Sequence, residues 1–106
     1  MILPDEILTD FLTKIAPLRL RISRILLFGS RARGDFTPDS DYDLLVVVPE
    51  KSADLVDALY DAVVDTLLEH GRLISLKIFS QEDFHRLSSI PTPFMQTVLA
   101  EGVPLG

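Results

Sequence analysis

None of the 106 residues is cysteine. Disulfides and thiolate metal ligands are thereby excluded, and redox chemistry says nothing about the compartment. No apolar run approaches the roughly 18–20 residues that a membrane helix needs, and the opening MILPDEIL carries no basic leader. A cytoplasmic protein that does not engage a membrane is expected by default. Positive charge is scarce too, with 10 Lys and Arg against 16 Asp and Glu, a net charge of −6. Duplex affinity comes from neutralising phosphates, so this balance weighs against a protein that binds duplex nucleic acid. It leaves room for a small phosphorylated ligand in a local basic pocket, or for a basic protein partner. No repeat, low-complexity tract or linker interrupts the sequence. With 47% hydrophobic residues, one domain over residues 1–106 is expected.

What is present alternates between helix and strand patterns. Pro4 and two acids precede Ile7, Leu8, Phe11, Leu12 and Ile15, which fall at helical spacing, and Pro17 ends that helix. Residues 23–28 close on the apolar block Ile25–Phe28 and predict a buried strand. Gly29-Ser30 follows, with one helical turn over RAR before Gly34 and a loop over 34–41, GDFTPDSD. YDLLVVV, residues 42–48, is a second buried strand closed by Pro49. Ser52 is placed as the cap of a long helix that runs to about Glu69 and stops near Gly71, with Val56, Leu59, Val63 and Leu67 as its buried stripe. Residues 73–79, LISLKIF, give a third strand; Ser80 with Asp83 opens a short helix to about Ser88. Thr92-Pro93 begins a last helix, with Gly102 at its cap. The expected fold class is α+β: a small mixed β-sheet of three or more strands flanked by helices, in the order α-β-β-α-β-α-α.

Residues 25–48 hold the chemistry. Asp41 and Asp43, two apart on a strand, point to one face about 6.5–7 Å apart and can share a divalent cation. Asp43 opens an otherwise apolar strand, where a half-buried carboxylate needs a partner. Tyr42, between them, is expected to pack on the opposite face. An EF-hand fails, because its sixth position needs Gly and here is Leu44. Gly29 permits a tight turn after the first strand, and the N–H groups of the next turn suit an anion. Ser30 adds a hydroxyl, and Arg31 and Arg33 can fork onto phosphate oxygens.

Gly29-Ser30, ten residues, then Asp41-x-Asp43 resembles the Gly-Ser…Asp-x-Asp motif of the DNA polymerase β-like nucleotidyltransferase superfamily. The nearest likeness is to its smallest branch, the minimal nucleotidyltransferases often encoded beside a HEPN-domain partner as toxin–antitoxin pairs. It covers nearly the whole chain, including a Pro93-Phe94 and Glu101-Gly102 close. The resemblance implies the polymerase β-like fold, with Gly29 and Ser30 cradling the triphosphate of ATP and Asp41 and Asp43 binding Mg²⁺. It also implies transfer of AMP to an acceptor hydroxyl, a tyrosine of the HEPN-domain partner, in a complex with that partner. Active relatives carry a third carboxylate on a neighbouring strand. LISLKIF has none, and Ser75 and Lys77 hold the same-face positions. Lys77 can contact the triphosphate, or its ammonium can stand in for the cation, or it can be an ordinary edge-strand lysine. The second alternative leaves a catalytically degenerate binding module that neutralises its partner by contact.

Two further features complete the expectations. Asp54, Asp57, Asp61, Asp65 and Glu69 form an acidic stripe on the long helix, where like charges repel; it reads either as a solvated face or as a surface for a basic partner, whose docking would offset that cost. His70 and His85 have no second ligand at useful spacing, so neither is assigned a metal.

Overall fold

Residues 5–105 are described in a computed structural model of the chain. Pro4, expected at the start of the first helix, lies outside the described residues. Helix α1 spans Glu6–Ile15, and its cap is Asp5, whose carboxylate accepts the Leu8 N–H at 2.8 Å. A 3₁₀ segment over Ala16–Arg21, with Pro17 in its first turn, leads into strand β1, Arg24–Phe28. One helical turn, α2 (Ser30–Arg33), and the loop to Asp41 follow, then strand β2, Tyr42–Val48. Helix α3 covers Ala53–His70 and ends on Gly71 in the left-handed region. Strand β3 is Ile74–Ser80, helix α4 Gln81–Ser88 and helix α5 Pro93–Glu101. Ser80 and Thr92 cap α4 and α5 by accepting the N–H groups of Asp83 and Met95.

The sheet order is β3-β2-β1-β4, where β4 is the two-residue strand Val103–Pro104. β1 runs antiparallel to β2 with Phe28 opposite Asp43, and β3 runs parallel to β2 with Ser75 opposite Asp43 and Lys77 opposite Leu45. The sheet is therefore mixed, as expected. β2 is its centre, and both faces of that strand are covered. Leu44, Val46 and Val48 pack with Phe11, Ile15, Leu55 and Leu59 under α1 and α3. Leu45 and Val47 pack with Leu26, Phe28, Phe84, Met95 and Val98 under α4 and α5. One strand thus feeds two cores, which accounts for its unbroken apolar run.

Three expectations change. The buried stripe of α3 is Leu55, Leu59, Ala62, Val63 and Thr66; Val56 is half-buried and Leu67 is 40% exposed. Thr66 can occupy a core position because its hydroxyl donates to the Ala62 carbonyl at 2.8 Å. Ser52 sits at the cap position of α3 without capping it: its hydroxyl donates to Asp54 at 2.6 Å and accepts from Arg21 at 3.0 Å. β4 has no pattern two residues long to announce it. It joins the sheet through β1, and the following Leu105 N–H donates to the Ile25 carbonyl at 2.8 Å.

Candidate active site

β1 and β2 meet so that Phe28 lies beside Asp43, and the chain must then turn away at Gly29. Gly29 has φ +75° and ψ −157°, a region essentially closed to other residues. Space makes a second demand: a Cβ at Gly29 would collide with the Asp43 carboxylate, lying only 3.2 Å from its Cγ. The turn therefore rests directly against that acid. Past it, the Ala32 and Arg33 N–H groups both donate to the Gly29 carbonyl, at 3.1 and 3.0 Å. The amides of Ser30 and Arg31 come before these first bonds of α2, the position in a helical turn that suits an anion.

Asp41 is exposed and Asp43 half-buried. Burial, then the neighbouring charge of Asp41, pushes the Asp43 carboxyl above its ordinary value; the charges of Lys77 and Arg33 pull it partly back. These four side chains thus share one electrostatic neighbourhood. Lys77 is exposed, and among the described residues neither aspartate has a basic group within ion-pair distance. Lys77 acts on Asp43 through its charge, without an ion-pair contact. Arg33 is exposed and pairs with Asp35 at 3.2 Å and Glu101 at 3.0 Å.

Arg31 has a different occupation from the one expected of it. Its guanidinium is buried between two rings, 4.4 Å from the centre of Phe36 and 4.2 Å from that of Tyr42. It donates to the carbonyls of Ser40 at 3.0 Å and Pro38 at 3.4 Å, and lies 3.6 Å from the Asp5 carboxylate. Tyr42 is buried on the face opposite the aspartates and donates its hydroxyl to Asp5; burial first, then that bond, pushes its pKa to about 12. Asp39 pairs with Arg72 at 3.1 Å, and Ser40 Oγ accepts the Thr37 N–H at 2.9 Å. The loop before Asp41 is thus tied at several points. None of these ties was legible in the sequence, because each joins residues distant in the chain or hides in loop composition.

His70 is a second case. α1 and α3 bring Asp10 to 2.9 Å from its Nε2, with Glu69 alongside, so possible ligands gather that sequence spacing did not show. Here the counter-charge is supplied: the Lys14 ammonium sits 2.6 Å from Asp10 and 3.1 Å from Glu69. Lys14, then His70, holds the Asp10 carboxyl below its ordinary value. Asp43, raised and without an ion pair among the described residues, is in the opposite condition.

A glycine turn thus lies against a half-buried aspartate, with a second acid two residues before it and two exposed cations whose charges act on it. The chain belongs to the family described as Polymerase beta, Nucleotidyltransferase, whose model matches residues 11–105. It is 40% identical over 88 residues to a Methanocaldococcus jannaschii protein named "Putative protein adenylyltransferase MJ0604", covering 79% of this chain and 78% of that protein. A second protein of that organism, "Putative protein adenylyltransferase MJ0141", is 44% identical over 46 residues, 42% of this chain and 46% of its own length. The fold matches a chain of a toxin–antitoxin crystal structure with AMP-PNP, at a TM-score of 0.60 and 18% identity over 92% of this chain and 71% of that one. It also matches a chain of a toxin–antitoxin MntA–HpeT mutant, at 0.61 and 16% over 92% and 70%. These confirm the polymerase β-like α+β fold.

Proposed function

We propose that the protein transfers AMP from ATP to a hydroxyl of a partner protein, and that the partner is the HEPN-domain toxin of a toxin–antitoxin pair. The observation that carries the chemistry is the raised, ion-pair-free Asp43 carboxylate lying against Gly29. Ser30 and the adjoining amides hold the triphosphate, with Arg33 and Lys77 contributing positive charge. Arg31 acts at one remove, by fixing the loop that carries Asp41. Asp41 and Asp43 are the residues that would hold Mg²⁺, which would supply neutralisation of the phosphate charge. The acceptor oxygen forms a bond to the α-phosphorus as the bond to pyrophosphate breaks. Ser75, opposite Asp43, is no base, so the acceptor's proton leaves to the partner or to water. The two M. jannaschii names support a protein acceptor, and the two fold neighbours support a toxin as partner. A tyrosine acceptor rests on the resemblance alone.

Incubation with labelled ATP, Mg²⁺ and a HEPN-domain partner tests this. Label should pass to the partner and fall by at least about 10²-fold with Asp41→Asn. A tight complex without label, unaffected by that substitution, would instead identify a module that acts by contact.

A further inference from the structure

Helix α3 has two apolar stripes, and the fold covers one. Leu55, Leu59, Ala62, Val63 and Thr66 face the sheet. Tyr60, Val64, Leu67 and Leu68 recur at i, i+4, i+7 and i+8, the spacing of a helix face that packs on something. They are 44, 51, 40 and 78% exposed. Asp57, Asp61 and Asp65 border that stripe. The ends of the acidic run are satisfied within the chain, Asp54 by Arg21 at 3.1 Å and Glu69 by Lys14 at 3.1 Å. The middle three make no ion pair among the described residues.

The neighbouring strand adds to this surface. β3 is an edge of the sheet, and the Tyr60 hydroxyl leans across to the Leu76 carbonyl at 3.2 Å. A groove of about 240 Å³ runs between them, lined by Val56, Tyr60, Leu76 and Ile78 and by two lysines, Lys51 and Lys77. An exposed apolar stripe on a helix beside an open strand edge is the kind of surface that marks a protein contact.

We infer that this surface docks a basic amphipathic helix of the protein that receives the nucleotide, an inference that rests on the acceptor being a protein. Apolar side chains of that helix lie along Tyr60, Val64, Leu67 and Leu68, and its Lys or Arg residues meet Asp57, Asp61 and Asp65. A second copy of this chain fits badly, because it would set two uncompensated acidic rows face to face in a protein of net charge −6. The placement also serves the reaction. Lys77 lines the groove from the edge strand and its charge acts on Asp43, which links the docking surface to the acid pair.

The probe is a synthetic stapled helix with Leu at i, i+4 and i+7 and Lys on both flanks, compared with the same helix carrying Glu for Lys. Its binding is followed by titration and by amide chemical shifts. The Lys helix should perturb residues 57–68 and β3, and the Glu helix should not. Leu68→Glu, Val64→Glu and Asp61→Lys should each weaken binding by at least about tenfold. Glu82→Lys, an equal change of charge on α4, should leave it unchanged. Equal binding of the Glu helix, shifts mapping elsewhere, or a dimer of this chain abolished by Leu68→Glu would overturn the inference. Asp41→Asn separates the two claims: it should abolish transfer and keep helix binding. Absent helix binding with intact labelling of a partner removes this surface and leaves the proposed reaction standing.

Discussion

At Asp43 two requirements pull against each other. The carboxylate must be ionised to hold a cation, yet its burial and the charge of Asp41 favour the protonated form. A carboxyl raised above its unfolded value of 3.8 adds to stability when protonated, fully so below 3.8. That contribution is lost as pH climbs through the raised value. Asp43→Asn should therefore raise the thermal midpoint at neutral pH while abolishing transfer, and the gain should vanish in melts below pH 3.8. Mg²⁺ should narrow the gap by stabilising only the parent protein. A variant no more stable than the parent at neutral pH would mean that the carboxylate is not held at a cost. The motif itself was legible, since Gly29, Ser30, Asp41 and Asp43 stand at readable spacing. That Gly29 is required by contact with Asp43, as well as by its backbone, emerges only when two strands are paired.

At the scale of elements, regular segments were readable and their docking was not. β2 is bounded as its apolar run suggests, and α3 stops at Gly71. The roll of α3 could not be read, because two apolar stripes compete for one sheet and Thr66 looks polar until its hydroxyl finds Ala62. The loop over 34–41 is the harder case: its composition announces irregularity, while its shape depends on Arg31 reaching Ser40 and Pro38. Arg31→Lys keeps the charge and loses the fork and the ring stacking. It should lower unfolding free energy by about 1–3 kcal/mol, measured by chemical denaturation. In kinetics it should depress kcat with little change in the KM for ATP. A raised KM at constant kcat would return Arg31 to the phosphates.

For the molecule as a whole, β2 is the partition between two cores. Leu44 and Leu45 are adjacent, both fully buried, and belong to different ones. Leu44→Ala and Leu45→Ala should each cost about 2–5 kcal/mol in denaturant titrations. Their double mutant should come close to the sum, because the two side chains share no layer; marked non-additivity would show that the layers respond together. The same partition links the two sides of the sheet. Tyr42 and Asp43 are neighbours that face opposite ways, and Asp5, which caps α1, also grips Tyr42 and Arg31. A perturbation at the head of the first helix thus has a short mechanical route to Asp43, passing through a single peptide bond. Catalytic competence and the seating of the N-terminal helix should rise and fall together.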